Sequence, residues 1–349
     1  MQKAYIDEAS GLLITQGADP GEIIGYVNGK PVYQIAGGAE NNFDKWVPEE
    51  YDSTVIQRVN QVSALEALAS RIPMGTTTKS VPRSAGIQVD FTAKGVAYNE
   101  DTSTNDEVVL TAKKFTRALR IAEEDMQDAL ANIIAAKQRD WATSYAKAID
   151  NAGLAVTAAP GAGVPFSSVY YLLSQTDATV SYTANTNLTK SGTAAPSYAS
   201  LNTAVGLLET GDYYDESRCY AIAHPAFRKT LRGILDSQQR PIFIDYAGAG
   251  DDGDIQTAGT LFGVPLRWSL GAKTSATATS APGGNPLIVF GNMDYALLGI
   301  RSGPETAFAA ADSGVGFLTD DALLKLRARR GFGIGNPFAF SVYENNSGL

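Results

Sequence analysis

One apolar stripe dictates the shape of this chain. Met126, Leu130, Ile133, Ile134, Trp141, Tyr145, Ala148 and Ile149 recur at helical spacing, with Lys137, Arg139, Asp140 and Lys147 interleaved. Asp125 or Asp128 suits the N-cap, and Gly153 suits a left-handed C-cap. At about 1.5 Å per residue the helix reaches roughly 35–40 Å, too long for the interior of most compact domains. Such a helix is a strut, and the rest of the chain has to be arranged along it.

The segments before it lack cores of their own. Residues 1–47 mix Gly, Pro and Asn with short alternating runs such as Pro31–Ala36 and read as an extended arm. Residues 1–60 hold nine acids and four bases, a local charge of −5 that keeps an arm solvated or apposes it to a basic neighbour. A helix is expected next, opened by Pro48, Glu49 and Glu50, carried by Tyr51, Val55, Val59, Val62, Leu65, Ala69 and Ile72, and stopped by Pro73. From Met74 to Thr111 the pattern becomes strand and turn: Val81-Pro82 and Gly86–Phe91 alternate, Tyr98–Asp106 is a polar turn, and Val108-Val109-Leu110 resumes a strand. An isolated hairpin of this kind is marginal in water, so it is expected to lie on another surface.

Beyond the strut, residues 158–199 are rich in Ala, Gly, Ser and Thr and read as strands joined by flexible loops. A helix over about 200–208, a strand over 218–223, a helix over 225–235 and a strand over 263–268 follow, and 274–285 is a low-complexity surface loop. Strands are expected at 287–290, 295–300, 322–328 and 338–343. No repeat of solenoid or propeller period is present.

The chemistry available is narrow. With Cys219 as the single cysteine and His224 as the single histidine, neither an intrachain disulfide nor a four-ligand Cys/His zinc site can form. A Ser-His-Asp triad is open only through His224, for which a satisfied histidine at a helix start is the simpler reading. Gly248-Ala249-Gly250-Asp251-Asp252-Gly253 fits a G-x-G-x-x-G string, yet two aspartates sit inside it and no helix follows, so a surface turn is expected. Asp251, Asp252 and Asp254 lack the remainder of a calcium loop. The 349 residues are 44% hydrophobic, enough to bury a core, and carry a net charge of −9, which disfavours a dedicated nucleic-acid binder. No run of 18 apolar residues spans a membrane, and the acid-interrupted start Met1–Glu8 is not the pattern of a signal peptide.

Two basic strips remain. In a strand, Lys325, Arg327 and Arg329 share one face while Leu324, Leu326 and Ala328 share the other. Lys113, Lys114, Arg117 and Arg120 form a second strip. Either a seam for a neighbour's acids, weak contact with packaged nucleic acid, or a charged edge that resists aggregation accounts for the first. Strips complementary in sign to the acidic arm suit self-association.

The order of elements resembles the major capsid proteins of tailed bacteriophages with the Hong Kong 97-type fold, from about Trp46 to the C-terminus. The strings that carry it are Val47-Pro48-Glu49-Glu50, Arg71-Ile72-Pro73-Met74, Lys113–Asp128, Tyr220-Ala221-Ile222-Ala223-His224-Pro225, Leu261-Phe262-Gly263-Val264-Pro265-Leu266, Ile288-Val289-Phe290-Gly291-Asn292, and Leu324-Lys325-Leu326-Arg327 with Arg330-Gly331. The resemblance implies an α+β chain divided into an N-terminal arm with helix (1–73) and an extended two-stranded loop (74–111). A peripheral domain with a long spine helix (112–157 and 301–331) and an axial domain (158–300 and 332–349) complete it.

It implies a non-enzymatic shell protein without cofactor or metal, which assembles in the host bacterial cytoplasm into pentamers and hexamers of an icosahedral virion enclosing double-stranded DNA. Its partners would be itself, a separate scaffolding protein (no long charged coiled coil precedes the arm), a portal, a decoration protein, and packaged DNA through weak non-specific contact, with no membrane. Subunit contacts are expected at Tyr98, Asn99, Glu100, Asp101, Lys113, Lys114, Arg117, Lys325, Arg327 and Arg329. Some members of the family weld neighbouring subunits through a lysine, an asparagine and a glutamate. Here the turn Tyr98–Asp101 has no lysine, the asparagine position reads Asp321 and the glutamate position reads Ala328, so no covalent weld is expected. Two other readings stay open: an encapsulin-like nanocompartment shell, and a soluble hydrolase using His224.

Overall fold

The computed structural model describes four short strands before residue 34 and then residues 60, 62–84, 86–87, 89–100, 105–128, 132–235, 257–310 and 319–347. Met1–Thr54 and Val55–Leu349 are separate units. In the first, β1 (Ala4–Ile6) pairs antiparallel with β2 (Leu13–Thr15), and β3 (Ile23–Val27) with β4 (Lys30–Tyr33). Asn28-Gly29 between the last two is the dipeptide that tight hairpins favour.

The second unit opens with α1 (Ala64–Leu68), β5 (Ser70–Pro73), β6 (Thr78–Arg83), β7 (Asp106–Thr111) and β8 (Lys113–Ala122). After α2 (Glu123–Asp128) come α3 (Ile133–Leu154), α4 (Val169–Leu173), β9 (Leu188–Lys190), α5 (Tyr198–Glu209), β10 (Cys219–Ala223) and α6 (Phe227–Gly233). The chain closes with β11 (Thr257–Leu261), β12 (Val264–Trp268), β13 (Leu287–Asn292), β14 (Ala296–Ala309), β15 (Asp321–Ile334) and β16 (Phe340–Glu344).

Two sheets organise the unit. One has four strands in the order β5-β14-β15-β8, the other six in the order β11-β12-β10-β13-β16-β9, and β6-β7 is a separate ribbon. The six-stranded sheet is covered on both faces, so its strands read as apolar runs rather than alternations. Ile222, Val289 and Val342 join α4 in one core, while Ala221, Ala223, Ile288, Phe290 and Tyr343 meet α5 and α6 in another. Adjacent residues of a strand therefore feed opposite cores. All six residues of the central strand β13 are buried.

The strut is present but begins later than the stripe suggests. Met126 lies in α2, and Asn132 rather than Asp125 or Asp128 caps α3, its side-chain oxygen accepting from Ala135 N at 3.0 Å. The 22 residues of α3 span roughly 33 Å. Gly153 is not a left-handed cap. It lies inside the helix, where a Cβ would collide with the Leu65 side chain, and the helix ends one residue later, with Ala155 N donating to Asn151 O at 2.9 Å.

Three further expectations change. Helical spacing through Ile72 gives way after α1, because Ser70–Pro73 pairs in parallel with Leu297–Ile300; strand pairing overrides a period that both structures can satisfy. Residues 48–59 of that expected helix lie outside the described residues. In 158–199 the regular elements are α4, the start of α5 and the three-residue β9 rather than a set of strands. The alternating residues Gly86–Phe91 lie past the end of β6 and belong to no strand among the described residues.

Asp150, in the last turn of α3, fastens the strut to what surrounds it. The fully buried carboxylate accepts from Ser63 Oγ, from Ala64 N at 3.0 Å, Leu65 N at 3.1 Å and Ser269 Oγ at 2.6 Å. Its neighbour Asn151 donates to Gly271 O and Lys273 O and accepts from Ser275 Oγ at 2.7 Å. Gly271 permits this approach, since a Cβ would stand 2.6 Å from Lys147 O. Burial pushes the Asp150 carboxyl up to about 6 against the lowering effect of its donors. Asp150→Ala leaves buried donors unpaired and should lower unfolding free energy by about 3 kcal/mol or more. Asp150→Asn should recover only part of that, because an amide nitrogen cannot accept; urea unfolding of the two variants measures both.

Candidate assembly surfaces

The basic strips come together as neighbours in one sheet. In the β8–β15 ladder Lys114 lies opposite Arg329, Thr116 opposite Arg327 and Ala118 opposite Lys325. Residues directly opposite in an antiparallel pair share a face. Lys114, Arg120, Lys325, Arg327 and Arg329 therefore stand on one side of the sheet, while Leu324, Leu326 and Ala328 are buried on the other. Two acids temper the face: Glu305 receives Arg327 Nε at 2.8 Å, and Asp321 lies 3.7 Å from Arg120.

The same alternation divides the second strip. Lys113 and Arg117 pair with Arg330 and Leu326 and so belong to the opposite side from Lys114. Arg330 itself is buried, with Nε 2.6 Å from Glu66 Oε1, and Tyr145 donates its hydroxyl to that same oxygen. The run Lys325–Arg330 is thus three outward cations and one inward ion pair.

The ribbon β6–β7 leads to a strongly exposed excursion. Tyr98 is 88% exposed, Glu100 is exposed, Asn99 donates to Asp90 at 2.9 Å, and Asp101 lies outside the described residues. Among the described residues no hydrogen bond or ion pair joins Tyr98, Asn99 or Glu100 to the basic face.

The ribbon's anchor was not singled out from the sequence. Arg83, the last residue of β6, donates Nε to Asp106 at 2.7 Å across the ladder and Nη1 to Asp177 at 2.8 Å. Its two carboxylate partners hold the guanidinium charged well above the ordinary arginine range, and it in turn lowers the Asp106 carboxyl. The only sequence signal was a lone arginine facing acids across a hairpin, too common to stand out. Arg83→Ala should speed amide exchange in residues 78–83 and 106–111 about tenfold or more, leaving exchange in the six-stranded sheet unchanged. Arg83→Lys should restore little of the protection, because an ammonium cannot span both carboxylates as a planar fork does.

His224 lies in the turn that leads into α6, whose N-cap is Ala226. Its Nδ1 accepts from Ala226 N at 3.0 Å just before α6, and the ring is buried. Burial first, then Lys273, lowers its pKa to about 4. A base depressed in the folded state stabilises above its unfolded pKa and loses that contribution as pH falls, here between about 6.5 and 4. The loss amounts to about 3 kcal/mol. Asp150 shifts the other way in an overlapping window, so the informative quantity is a difference: wild type should lose more stability than His224→Asn between pH 6.5 and 4 in denaturant titrations. The glycine string 248–253 and Asp251, Asp252 and Asp254 lie outside the described residues.

Comparison with known proteins supplies the context. The sequence matches the Phage capsid family over residues 45–345. No curated protein matches. The structure is similar to a chain of Microbacterium phage Oxtober96 (TM-score 0.60, 17% identity, 87% of this chain and 98% of that one). It is also similar to the capsid of a native GTA particle (0.64, 15%, 89% and 99%) and to a chain of Mycobacterium phage Adephagia (0.64, 14%, 89% and 99%). At these identities the likeness is one of fold, the Hong Kong 97-type capsid fold.

Proposed function

The chain belongs to the phage capsid family, and from that premise we propose that it is a major capsid protein, assembling into the pentamers and hexamers of an icosahedral shell around double-stranded DNA. The observation that carries this reading is the excursion beyond β6–β7: Ile87, Val89, Phe91, Val96 and Tyr98 are between 62% and 100% exposed. An apolar array of this size on a lone subunit marks a surface awaiting a partner. A shell of repeated subunits supplies one at every position, and many modest contacts then reinforce each other.

We assign β8, β14, β15 and α3 to the peripheral domain (112–157 and 301–331) and the six-stranded sheet to the axial domain (158–300 and 332–349), with 74–111 as the extended loop and 1–73 as the arm, whose last strand β5 joins the four-stranded sheet. Strands β14 and β15 run through both proposed boundaries without interruption. Contacts at Tyr98, Asn99, Glu100, Asp101, Lys113, Lys114, Arg117, Lys325, Arg327 and Arg329 would join copies. Scaffolding, portal and decoration proteins and packaged DNA are its further proposed partners, and the host cytoplasm its place of assembly.

Contacts in the shell are proposed to be non-covalent. Ala328, at the position where a welding glutamate would stand, is buried in the core against Phe115, and Asp321 is engaged by Arg120 and by Thr319 Oγ1 at 2.6 Å. Sedimentation velocity with negative-stain imaging, with and without a coexpressed scaffold, should give closed particles or capsomer rings. Those particles should run as a single 36.9 kDa band on a denaturing gel. A monomer under all conditions overturns the shell reading, and a covalent ladder overturns the non-covalent one.

A further inference from the structure

Charge along the β8–β15 ladder is segregated end to end. From Lys113 to Arg120 and from Leu324 to Arg330 the two strands hold eight cations and no acid. Their shared end carries the opposite sign. Helix α2, which follows β8 directly, holds Glu123, Glu124, Asp125 and Asp128 and no base, and β15 opens with Asp321 just after Asp320. The two stretches meet at one corner: Glu123 N donates to Asp320 O at 3.0 Å, and Asp321 pairs with Ala122 in the ladder. Glu124, Asp125 and Asp320 are exposed there.

One subunit does not neutralise this arrangement by itself. A single ion pair crosses the boundary between the signs, Arg120 with Asp321 at 3.7 Å, and Glu305 takes up Arg327. Among the described residues no acid pairs with Lys114, Lys325 or Arg329. Lys114 is nine residues from Glu123, about 30 Å along a strand, and Lys325 is four residues from Asp321, about 13 Å. Both separations exceed the screening length of about 10 Å at 0.1 M ionic strength. Nor do the outward cations of β15 serve to guard an edge, since β15 lies inside the sheet between β14 and β8.

A positive face beside a negative corner is complementary to a second copy of itself. Resting on the shell reading, we propose that the acidic corner of one copy, α2 with Asp320, seats on the basic face of the next, against Lys114, Lys325, Arg327 and Arg329. The contact is head-to-tail: each copy gives a corner and receives one, so it closes only in a ring of subunits. It is polar, and it selects partner and orientation more than it adds affinity. The acidic N-terminal stretch is a poorer match, because the nine acids of residues 1–60 are interspersed with four bases, whereas α2 carries four acids in six residues and no base.

Charge reversal in the full-length chain tests it. Lys114→Glu with Lys325→Glu reverses the face, and Glu124→Lys with Asp125→Lys reverses the corner; all four side chains are exposed. Each reversal alone should leave the subunit's melting temperature unchanged and lower particle yield about tenfold. The chain carrying all four substitutions should recover most of the yield, since its corner and face attract again. Full yield from either single reversal, or no recovery in the fourfold chain, overturns the proposal and leaves the shell reading standing. A disulfide gives a second measure that does not depend on how those variants fold. Cys219 is the sole native cysteine and is buried, so introduced thiols report alone. Particles assembled from a mixture of Asp125→Cys and Lys325→Cys chains should give a dimer on a non-reducing gel after mild oxidation, and neither variant alone should. Intact particles without that dimer overturn the proposal, as does a bond that Lys325→Cys makes instead with Asp90→Cys or Asp7→Cys chains. Failure of the unmodified chain to form particles overturns both readings.

Discussion

A single buried carboxylate decides how the rest of the second unit can be built. Asp150 sits at the C-terminal end of α3, where the helix dipole disfavours a negative charge, and it is removed from water. Both penalties are offset by four donors drawn from two distant stretches of chain, Ser63–Leu65 and Ser269. The start of α1 and the turn after β12 are thereby forced to meet at one point on the helix. Asn151 repeats the arrangement one residue on, with the strand-like segment from Gly271 to Ser275. Both sheets are thus referenced to the same turn of one helix.

From that fixed point, charge is sorted by side. Inward charges are paired and hydrogen-bonded: Arg330 with Glu66 and Tyr145, and Glu344 with Tyr170 and Asn285. Breaking such a pair strands a charge in a poorly hydrated place, so these contacts fix the geometry more than they add to stability. Outward charges on β8 and β15 are left in excess of their acids. An exposed ion pair such as Arg327–Glu305 contributes little to the stability of one subunit. The excess acts instead through the field that the face presents to whatever approaches it.

The sequence and the structure agree where a pattern admits one reading. The stripe from Ile133 to Ile149 could only be a helix, and Leu324, Leu326 and Ala328 alternating with Lys325, Arg327 and Arg329 could only be a one-sided strand; both stand as read. The order of short motifs such as Tyr220–Pro225 and Ile288–Asn292 was enough to point to the capsid fold. Local spacing failed where partners from elsewhere in the chain decide. Ile72 fits a helical stripe, yet β14 captures it as a strand. Gly153 resembles a helix stop, yet Leu65 needs its missing side chain. Lys113 and Lys114 look alike in sequence but face opposite sides, which only the register of β8 against β15 reveals. Of the proposed contact residues, the sequence identified the charged ones by their density. The exposed apolar triplet Ile87, Val89 and Phe91 looked like any buried strand.

Cys219 carries a consequence that reaches beyond its place at the start of β10. It is 1% exposed, and burial raises its thiol pKa, so little reactive thiolate is available. With no second sulfhydryl in the chain, no disulfide can form within it. Burial keeps this one thiol from ready exchange with thiols or disulfides of other molecules. A particle built from this chain would have no disulfide within a subunit to lose on passing into a reducing medium, and each subunit would hold its shape by packing and hydrogen bonds.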